Sequence, residues 1–582
     1  MNSSRYRIEK ATGREPADLC VTNAKIIDVF SQKIIAGQDL LIGDGVFLGL
    51  CEPGAARAAK YFDAGGNYLL PGLIDAHVHI ESSMVTPPQF ARLVVPKGTT
   101  TVVADPHEIA NVAGMAGIEY MLEASADLPL DVRIMLPSCV PATPFENSGA
   151  RLDADSLARL IDHARVGGLA EMMNFPGVIN ANNDILAKLS LARQAGKIID
   201  GHAPMLRGSE LNAYACAGVL TDHECSSPEE LKDRIERGMF VLIRQGSAAK
   251  NLEQLIKGVT PQNAWRCAFC TDDSSPEDVL HDGHMDKHLR LAVEYGCDPI
   301  LAVCMATIFP ATCYNLQGKG AIAPGYAADF VCVDDLNNFQ AREVFCHGKL
   351  TAKNGEMTVQ VPSPPLPAEV TSRVRLAPID ETHFRLPLPD NRARVIGLEP
   401  HSLLTRSVER EVQTTDGCFD CKKNPGLAKI AVIERHKGNG NIGLGILEGY
   451  VAKGKHFGGA IATTIAHDSH NIVVAGDSDA DMLMAVLALQ KTGGGIVLVK
   501  NQTIIDQLAL PVAGLMSDQP VEKIARAKKE LFKRARQQYN INPGAEPVMT
   551  LSFMALPVIP ELKITDQGLF DVTKFCFTPV AL

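Results

Sequence analysis

The sequence predicts an α/β protein built around a parallel (β/α)8 barrel. Between residues 68 and 273 the chain holds eight short apolar runs, each of which ends in polar or charged residues. Stretches with a helical pattern, such as DILAKLSLARQAG, separate these runs, and such alternation is typical of a parallel sheet. Eight units over roughly 210 residues agree with the size of a barrel of this kind. The runs cover residues 68–79, 99–105, 131–140, 167–175, 197–204, 218–224, 239–247 and 266–273.

The segments outside the barrel predict two further domains. Strand-like stretches before and after the barrel indicate one small β domain made from both segments. A proline-rich stretch then indicates a linker, and a C-terminal α/β or α+β domain follows, with an amphipathic helix near 520–538. We predict the first part of the small β domain at residues 1–65, the barrel at 66–318 and the return strands of the small β domain at 319–360. The linker is predicted at 361–395 and the C-terminal domain at 396–582.

Composition excludes several classes of protein. The chain carries 56 Lys and Arg residues against 67 Asp and Glu residues, a formal net charge of −11. Nucleic-acid binding needs clustered positive charge, so we expect no nucleic-acid partner. The sequence has no apolar run of about 18 residues and its first residues lack a signal-peptide core, so we expect no membrane partner. Fifteen cysteines without regular spacing favour a reducing compartment, and hence a cytoplasmic protein.

Polar residues at the ends of the runs are the candidate site residues, because a barrel carries its active site at the C-terminal ends of its strands. His77 and His79 stand at i and i+2 of one strand and therefore point the same way. The other candidates at or near run ends are Glu171, His202, His223, Asp272 and Asp273. Imidazole and carboxylate together suit zinc, iron or manganese. Four imidazoles and two carboxylates exceed the needs of one tetrahedral zinc ion, so we expect two metal ions with Glu171 as the bridge.

Longer motifs extend this pattern to a known family. The segment PGLIDAHVHIESS, the eight runs and the later IAPGYAADFVCVDD resemble the amidohydrolase superfamily. Within it, VVADPHEIANVAG, GLAEMMNFPGV, DGHAP, TDHE, TDDSSP with GHMDKHLR, and AHDSHNIVVAGD resemble the adenine deaminase family over residues 71 to about 480. The resemblance implies an amidohydrolase-type barrel with a C-terminal domain. It also implies hydrolysis of adenine to hypoxanthine and ammonia at a centre of two divalent ions, with manganese or iron favoured over zinc. The implied metal ligands are His77, His79, Glu171, His202, His223 and Asp272.

Residue types then predict a mechanism for this reaction. Hydrolysis at C6 of adenine needs a strong nucleophile, which a metal-bound hydroxide would supply. Asp272 is expected to take a proton from this hydroxide and to deliver it to the leaving amine. A second acid should protonate the ring nitrogen N1, and Glu224, His107 and Glu108 remain candidates. The residues expected to contact the substrate are Asp105, His107, Glu108, Asp273, His467 and His470.

Other readings of the same residues stay open at this point. The metal ligands alone would fit a cyclic amidohydrolase that acts on a dihydropyrimidine, a hydantoin or a related ring amide, although the ADPHE and AHDSHN motifs favour adenine. A non-catalytic scaffold is disfavoured because the ligand set is complete. His467 and His470 could instead form a hydrogen-bonded domain interface. For the cluster His281, His284 and His288 we favour helix capping or support of the Asp272 loop over metal binding. We expect a homo-oligomer.

Overall fold

The computed structural model describes residues 3–582 and has an α/β fold. Each of the eight predicted runs contains a strand, and neighbouring strands pair in parallel within two sheets. The strands are buried, as expected when helices cover the outer face of a parallel sheet. The five-stranded sheet contains Leu73–Val78, Thr99–Ala104, Asp131–Leu136, Val166–Met172 and Ile198–Gly201. The three-stranded sheet contains Thr221–Asp222, Phe240–Arg244 and Cys267–Cys270.

The first and last parallel strands meet at their C-terminal ends. Val78 and Asp272 form a parallel bridge. The Asp272 N–H donates to the His77 carbonyl at 2.9 Å, and the His79 N–H donates to the Asp272 carbonyl at 3.1 Å. The two sheets are also linked on their other side, because the Leu220 N–H donates to the Ile199 carbonyl at 2.9 Å. The strand ends that carry the predicted site residues therefore lie side by side.

Helices follow the parallel strands along the chain. Polar side chains fix several of their starts: the Ser227 hydroxyl accepts from the Glu230 N–H, and the Asn182 side chain accepts from the Asp184 and Ile185 N–H groups. The helices of this region are Pro87–Val94, His107–Ala113, Met115–Ala124, Ala154–Ala158, Phe175–Ile179, Asn183–Gln194, Gly208–Cys216, Pro228–Glu236, Leu252–Leu255, Pro276–Asp282, Met285–Glu294, Pro299–Met305 and Ile308–Cys313.

The first predicted run is two strands, so the prediction of one strand over 68–79 was wrong. Tyr68–Pro71 pairs antiparallel with Phe330–Val333, whereas Leu73–Val78 pairs with Thr99–Ala104. Between them a Cβ atom on Gly72 would lie 2.1 Å from the Thr100 Oγ1 atom. Only glycine fits where the chain crosses between sheets, and the apolar pattern continues through the crossing without marking it.

Strands that precede and follow the parallel region in sequence form two further sheets, which are mainly antiparallel. In spatial order, a seven-stranded sheet contains Glu356–Met357, Lys349–Lys353, Ala341–Cys346, Phe330–Val333, Tyr68–Pro71, Lys25–Asp28 and Lys33–Ala36. A four-stranded sheet contains Val46–Cys51, Asp39–Gly43, Ala17–Thr22 and Ala58–Asp63. The helix Ser3–Ala11 precedes them.

The C-terminal part of the chain is built on an eight-stranded, mainly antiparallel sheet. Its strands, in spatial order, are Thr405–Glu411, Arg392–Leu398, Ile442–Glu448, Leu427–Ile433, Ile472–Gly476, Ala460–Thr463, Gly495–Lys500 and Thr503–Ala509. The helix Val521–Gln538 confirms the predicted amphipathic helix. The remaining elements are the helices Asp479–Thr492 and Met549–Ser552 and the strands Thr414–Thr415, Cys418–Phe419, Leu562–Thr565, Gly568–Asp571 and Cys576–Phe577. Over residues 3–582 every helix is too short or too polar to cross a bilayer.

Candidate active site

His77 lies near the end of the first parallel strand and His79 directly follows that strand, and their ring nitrogens face each other. The Nε2 atoms of His77 and His79 lie 3.2 Å apart, and both side chains are buried. The His79 Nδ1 atom lies 3.0 Å from the Asp105 carbonyl oxygen, which can only accept. Nδ1 of His79 therefore carries the proton, and its Nε2 presents a lone pair to His77. Two imidazole nitrogens held at this distance require a proton or a cation between them.

Glu171, at the end of the fourth parallel strand, lies between two groups of histidines. Its Oε1 atom lies 3.3 Å from His79 Nε2 and 3.9 Å from His77 Nε2. Its Oε2 atom lies 2.8 Å from His202 Nδ1 and 3.2 Å from His223 Nε2. Burial would raise the pKa of Glu171, but its hydrogen bonds with the histidines hold this pKa well below its usual value. One carboxylate thus offers one oxygen to each group.

Asp272 completes the first group and reaches a second set of charges. Its Oδ1 atom lies 3.1 Å from His79 Nε2 and 3.7 Å from His77 Nε2. Its Oδ2 atom accepts from the Arg244 guanidinium at 2.8 Å, and the same guanidinium donates to both oxygens of Glu224 at 2.5 and 3.2 Å. Arg244 therefore holds Asp272 and Glu224 in fixed orientations.

The spacing of these donor atoms fits divalent metal ions. Two ligand atoms 2.0–2.1 Å from one tetrahedral zinc ion lie about 3.3–3.4 Å apart. The His77–His79 nitrogen pair and the His202–His223 nitrogen pair are both separated by 3.2 Å. Each pair also faces a carboxylate oxygen of Glu171. All six sequence-predicted ligands are therefore brought together, in a donor set suited to zinc, iron or manganese.

The predicted substrate residues Asp105 and His107 lie against this donor set. The His107 Nδ1 atom lies 3.3 Å from Asp105 Oδ2 and 3.5 Å from Glu171 Oε1. The backbone N–H of His107 also donates to Asp105 Oδ1 at 3.0 Å. Asp273 stands apart from this pair and accepts a hydrogen bond from the Ser82 hydroxyl. The ring of His107 is therefore oriented by two carboxylates.

Glu108 binds two histidines of the C-terminal part of the chain. His467 Nδ1 lies 2.9 Å from Glu108 Oε1, and His470 Nε2 contacts Glu108 Oε2. The Ala466 N–H donates to His470 Nδ1 at 3.1 Å, so the neutral His470 ring carries its proton on Nε2, the nitrogen that faces Glu108. A metal ion at this Nε2 would displace that proton. The cluster thus links distant parts of the chain through contacts between side chains.

His281, His284 and His288 do not form one site. His281 lies at the surface, whereas His284 and His288 are buried and contact the parallel strands. His284 Nδ1 lies 2.8 Å from the Thr99 hydroxyl and its Nε2 lies 3.3 Å from Asp75 Oδ2. His288 Nε2 lies 2.9 Å from the Cys270 carbonyl, beside the Asp272 loop. The side chain of His281 is 89% exposed. Two of the three therefore brace the first and last parallel strands, and neither reaches the donor set.

Sequence reasoning missed two residues of this site. Arg244 ends the seventh parallel strand, and its position at a run end was a usable signal. Asp75 lies inside the first strand and accepts from the Thr271 N–H at 3.0 Å and from the Thr271 hydroxyl at 2.6 Å. No spacing in the sequence marks that contact between the first and last strands.

The chain is similar in sequence to known proteins along nearly its whole length. The family described as "Amidohydrolase family" matches residues 68–351, and "Adenine deaminase C-terminal domain" matches residues 402–576. An adenine deaminase of Nitratidesulfovibrio vulgaris (strain DP4) is 56% identical over 99% of this chain and 98% of its own length. An adenine deaminase of Clostridium acetobutylicum is 46% identical over 98% of this chain and 99% of its own length. Among solved structures, a β-aspartyl dipeptidase of Fervidobacterium islandicum AW-1 covers 59% of this chain and 98% of its own, with 19% identity and a TM-score of 0.47.

Proposed function

This chain belongs to the adenine deaminase family of amidohydrolases, and on that premise we propose that it hydrolyses adenine to hypoxanthine and ammonia. The observation that carries the proposal is Glu171, whose two oxygens face two separate histidine groups at the ends of the parallel strands. The chain also retains the C-terminal part that its full-length relatives have. A cyclic amidohydrolase acting on a dihydropyrimidine or a hydantoin is not favoured by these relatives.

We propose that two divalent ions bind here, with manganese or iron favoured over zinc. His77, His79, Asp272 and Oε1 of Glu171 would hold one ion, and His202, His223 and Oε2 of Glu171 the other. Bound ions of this kind supply Lewis acidity, which makes water a nucleophile near neutral pH and polarises the electrophile. Support comes from the 3.2 Å separation within each histidine pair.

Asp272 is proposed as the proton shuttle. Water adds its oxygen to C6, the bond from C6 to the amino nitrogen breaks, and the protons of water end on the leaving ammonia and on N1. Oδ1 of Asp272 faces the His79 ring and Oδ2 is held by Arg244, so the carboxylate keeps one orientation while it accepts and returns a proton. Arg244 acts as a positioning residue.

The donor to N1 is proposed to be His107. Glu224 accepts at both oxygens from Arg244, and Glu108 accepts at both oxygens from His467 and His470. Neither carboxyl group is oriented to donate. His107 Nδ1 faces Asp105 and Glu171, and its Nε2 lies 3.8 Å from Glu108 Oε1. Glu224 and Glu108 would then orient the neighbouring rings.

Further substrate contacts are proposed for residues around this pocket. Asp105 holds the His107 ring, and Asp273 is half-buried beside Asp272. His467 and His470 would complete the pocket from the C-terminal part of the chain, where the His467 ring stacks on Phe553 with centroids 4.6 Å apart.

We also propose the finer architecture. The eight parallel strands would form one closed (β/α)8 barrel over residues 66–318, supported by the Val78–Asp272 bridge and the Leu220–Ile199 hydrogen bond. Residues 1–65 and 319–360 would form one small β domain, 361–395 a linker and 396–582 the C-terminal domain. The assembly is proposed to be a homo-oligomer with a small-molecule substrate.

The test is ammonia release from adenine by protein loaded with Mn²⁺ or Fe²⁺. We expect turnover of adenine that is lost in Asp272→Asn and kept in Asp282→Asn, because Asp282 is exposed on the following helix. Dihydrouracil serves as the competing substrate. Turnover of dihydrouracil without release of ammonia from adenine would contradict the proposal and favour the cyclic amidohydrolase.

A further inference from the structure

A cavity lies at the N-terminal ends of the parallel strands, opposite the end that carries the proposed metal ligands. Its volume is about 290 Å³, near the lower end of the range for small-molecule sites. Residues at the starts of three neighbouring strands line it, among them Thr100, Asp131 and Arg165, and Asp329 closes it from the seven-stranded sheet. The strand Asp131–Leu136 alone separates the two ends by roughly 20 Å at the usual rise per residue.

Three buried hydrogen-bond donors around this cavity have no partner within residues 3–582. They are the hydroxyl of Ser125, Nε of Arg133 and Nη1 of Arg165. Ser125 is 2% exposed, so its hydroxyl has little access to solvent at the surface. Buried donors without acceptors are rare in folded proteins because leaving them unpaired costs free energy. Three of them around one cavity favour a ligand that accepts hydrogen bonds.

The charges around the cavity favour an anion. The lining carries more positive than negative side chains. The three cationic side chains are Arg133, Arg165 and Lys319, and the two carboxylates are Asp131 and Asp329. Lys319 pairs with both carboxylates, at 2.7 Å from Asp329 Oδ2 and 3.2 Å from Asp131 Oδ2. Arg133 shares Asp131 at 3.0 Å, whereas Arg165 donates a hydrogen bond to the carbonyl of Leu122. Within residues 3–582, Arg165 is therefore the cation of this lining that has no carboxylate at ion-pair distance.

The pKa of Arg165 is consistent with this imbalance. Burial lowers the pKa of its guanidinium group, Asp131 opposes that effect, the neighbouring charge of Arg133 adds to it, and Asp127 opposes it more weakly. An anion between the two guanidinium groups would relieve their repulsion.

We propose that this cavity is a binding site for the phosphate group of a small anion, held by Arg133, Arg165 and the hydroxyl of Ser125. Guanidinium groups bind phosphate oxygens through paired N–H donors, and a hydroxyl adds a third donor. The phosphate could be free inorganic phosphate or part of a small phosphorylated metabolite, and both present the same acceptor oxygens. The site is separate from the metal-ligand residues and does not depend on the proposed reaction.

The test is calorimetric titration of the metal-loaded protein with inorganic phosphate and, separately, with ribose 5-phosphate. We expect binding of at least one of them, weakened about tenfold or more in Arg165→Met, since one charge-assisted contact is worth about that factor. Arg159→Met is the matched control, because Arg159 lies nearby in the sequence with a side chain that is 65% exposed. Tighter binding of ribose 5-phosphate than of phosphate would assign the site to a phosphorylated metabolite, and equal binding would assign it to free phosphate.

Two results would overturn the proposal. One is the absence of binding for both compounds at concentrations on the order of 10 mM. The other is equal binding by wild type, Arg165→Met and Arg159→Met, which would mean that phosphate binds elsewhere, for instance at the metal ions. Ser125→Ala covers the case in which Arg165→Met does not fold, and we expect it to weaken phosphate binding several-fold because it removes one donor.

Discussion

His467 Nδ1 lies 2.9 Å from Oε1 of Glu108, so side chains about 360 residues apart form a buried ion pair. Glu108 lies in the first turn of the helix that follows the second parallel strand, and His467 precedes a strand of the eight-stranded sheet. Burial would lower the pKa of His467, but Glu108 raises it to about 9, so the ring is charged at neutral pH. The contact joins the C-terminal part of the chain to the surroundings of the proposed metal ligands.

Removing one member of this pair should cost stability. We expect Glu108→Ala to lower the free energy of unfolding by about 3 kcal/mol, because it leaves His467 buried without its partner. A double-mutant cycle with His467→Ala, measured by urea unfolding, should give a coupling energy on the order of 1–3 kcal/mol. Additive effects of the two substitutions would contradict the pairing.

Arg244 should be needed for turnover more than for substrate affinity. Arg244→Met releases Asp272 and Glu224 together, so we expect kcat for adenine to fall by roughly 100-fold with a smaller change in KM. Arg244→Lys should recover only part of the activity, since an ammonium group lacks the planar fork that reaches both carboxylates. Arg266→Met, at the start of the next strand, is the control. Equal kcat values for Arg244→Met and Arg266→Met would refute this role.

Glu171 should control how much metal the protein retains. Glu171→Gln replaces a charged bridge with a neutral amide that offers one oxygen, so we expect bound divalent metal to fall by about half or more after gel filtration. Metal content is measured by elemental analysis. Glu119→Gln is the matched control, because Glu119 is an exposed residue that pairs with Arg159. Unchanged metal content in Glu171→Gln would contradict the bridging role.

Lys563 should make stability depend on pH. It is fully buried, and burial lowers its pKa from 10.5 to about 7. Between these two values the unfolded chain binds more protons than the folded chain, so stability should rise as pH increases from about 7 towards 10. The penalty is complete below pH 7, where the folded protein must bury the charged ammonium group.

Lys563→Met should remove that penalty. We expect it to raise the midpoint of urea unfolding at pH 7, with a gain that shrinks as pH approaches 10. The substitution also removes the bond from Nζ to the Leu403 carbonyl, which limits the gain by about 1 kcal/mol. The same gain at every pH would show that the ammonium group does not titrate in this range.

Gly72 should tolerate no side chain beside Thr100. A Cβ atom at residue 72 would lie 2.1 Å from Thr100 Oγ1 and 2.9 Å from its Cγ2. We expect Gly72→Ala to reduce the free energy of unfolding by about 1–3 kcal/mol, as in other overpacked sites. Because Thr100→Ala removes both atoms, the double variant should be more stable than Gly72→Ala alone, as measured by thermal unfolding. A double variant no more stable than Gly72→Ala would place the strain elsewhere.

The sequence predicted the donor set because the chemistry follows a local rule. His77, His79 and Glu171 each stand where an apolar run becomes polar, and parallel strands bring such ends to one edge. Residue type then limited what these ends could bind. The class of fold and its six metal-ligand candidates could therefore be read without coordinates.

Contacts between side chains of distant segments could not be predicted from that rule. The orientation of Glu108 depends on His467 and His470, and the tautomer of the His470 ring depends on the backbone N–H of Ala466. The hydrogen bond from Arg244 to Asp272 depends on the length and orientation of side chains on neighbouring strands. Periodicity reports which face of an element is buried, but it carries no information about which partner a buried charge meets.

The order of the donor residues along the chain has a consequence for synthesis. His77 and Asp272 are about 195 residues apart, and Asp272 pairs directly with the strand that carries His77. At a translation rate of 5–20 residues per second, the first histidines wait about 10–40 s for that partner. Until the eighth strand emerges, the nascent chain holds imidazoles without the carboxylate that completes their set. Metal capture should therefore come late in biogenesis, after the strands have met.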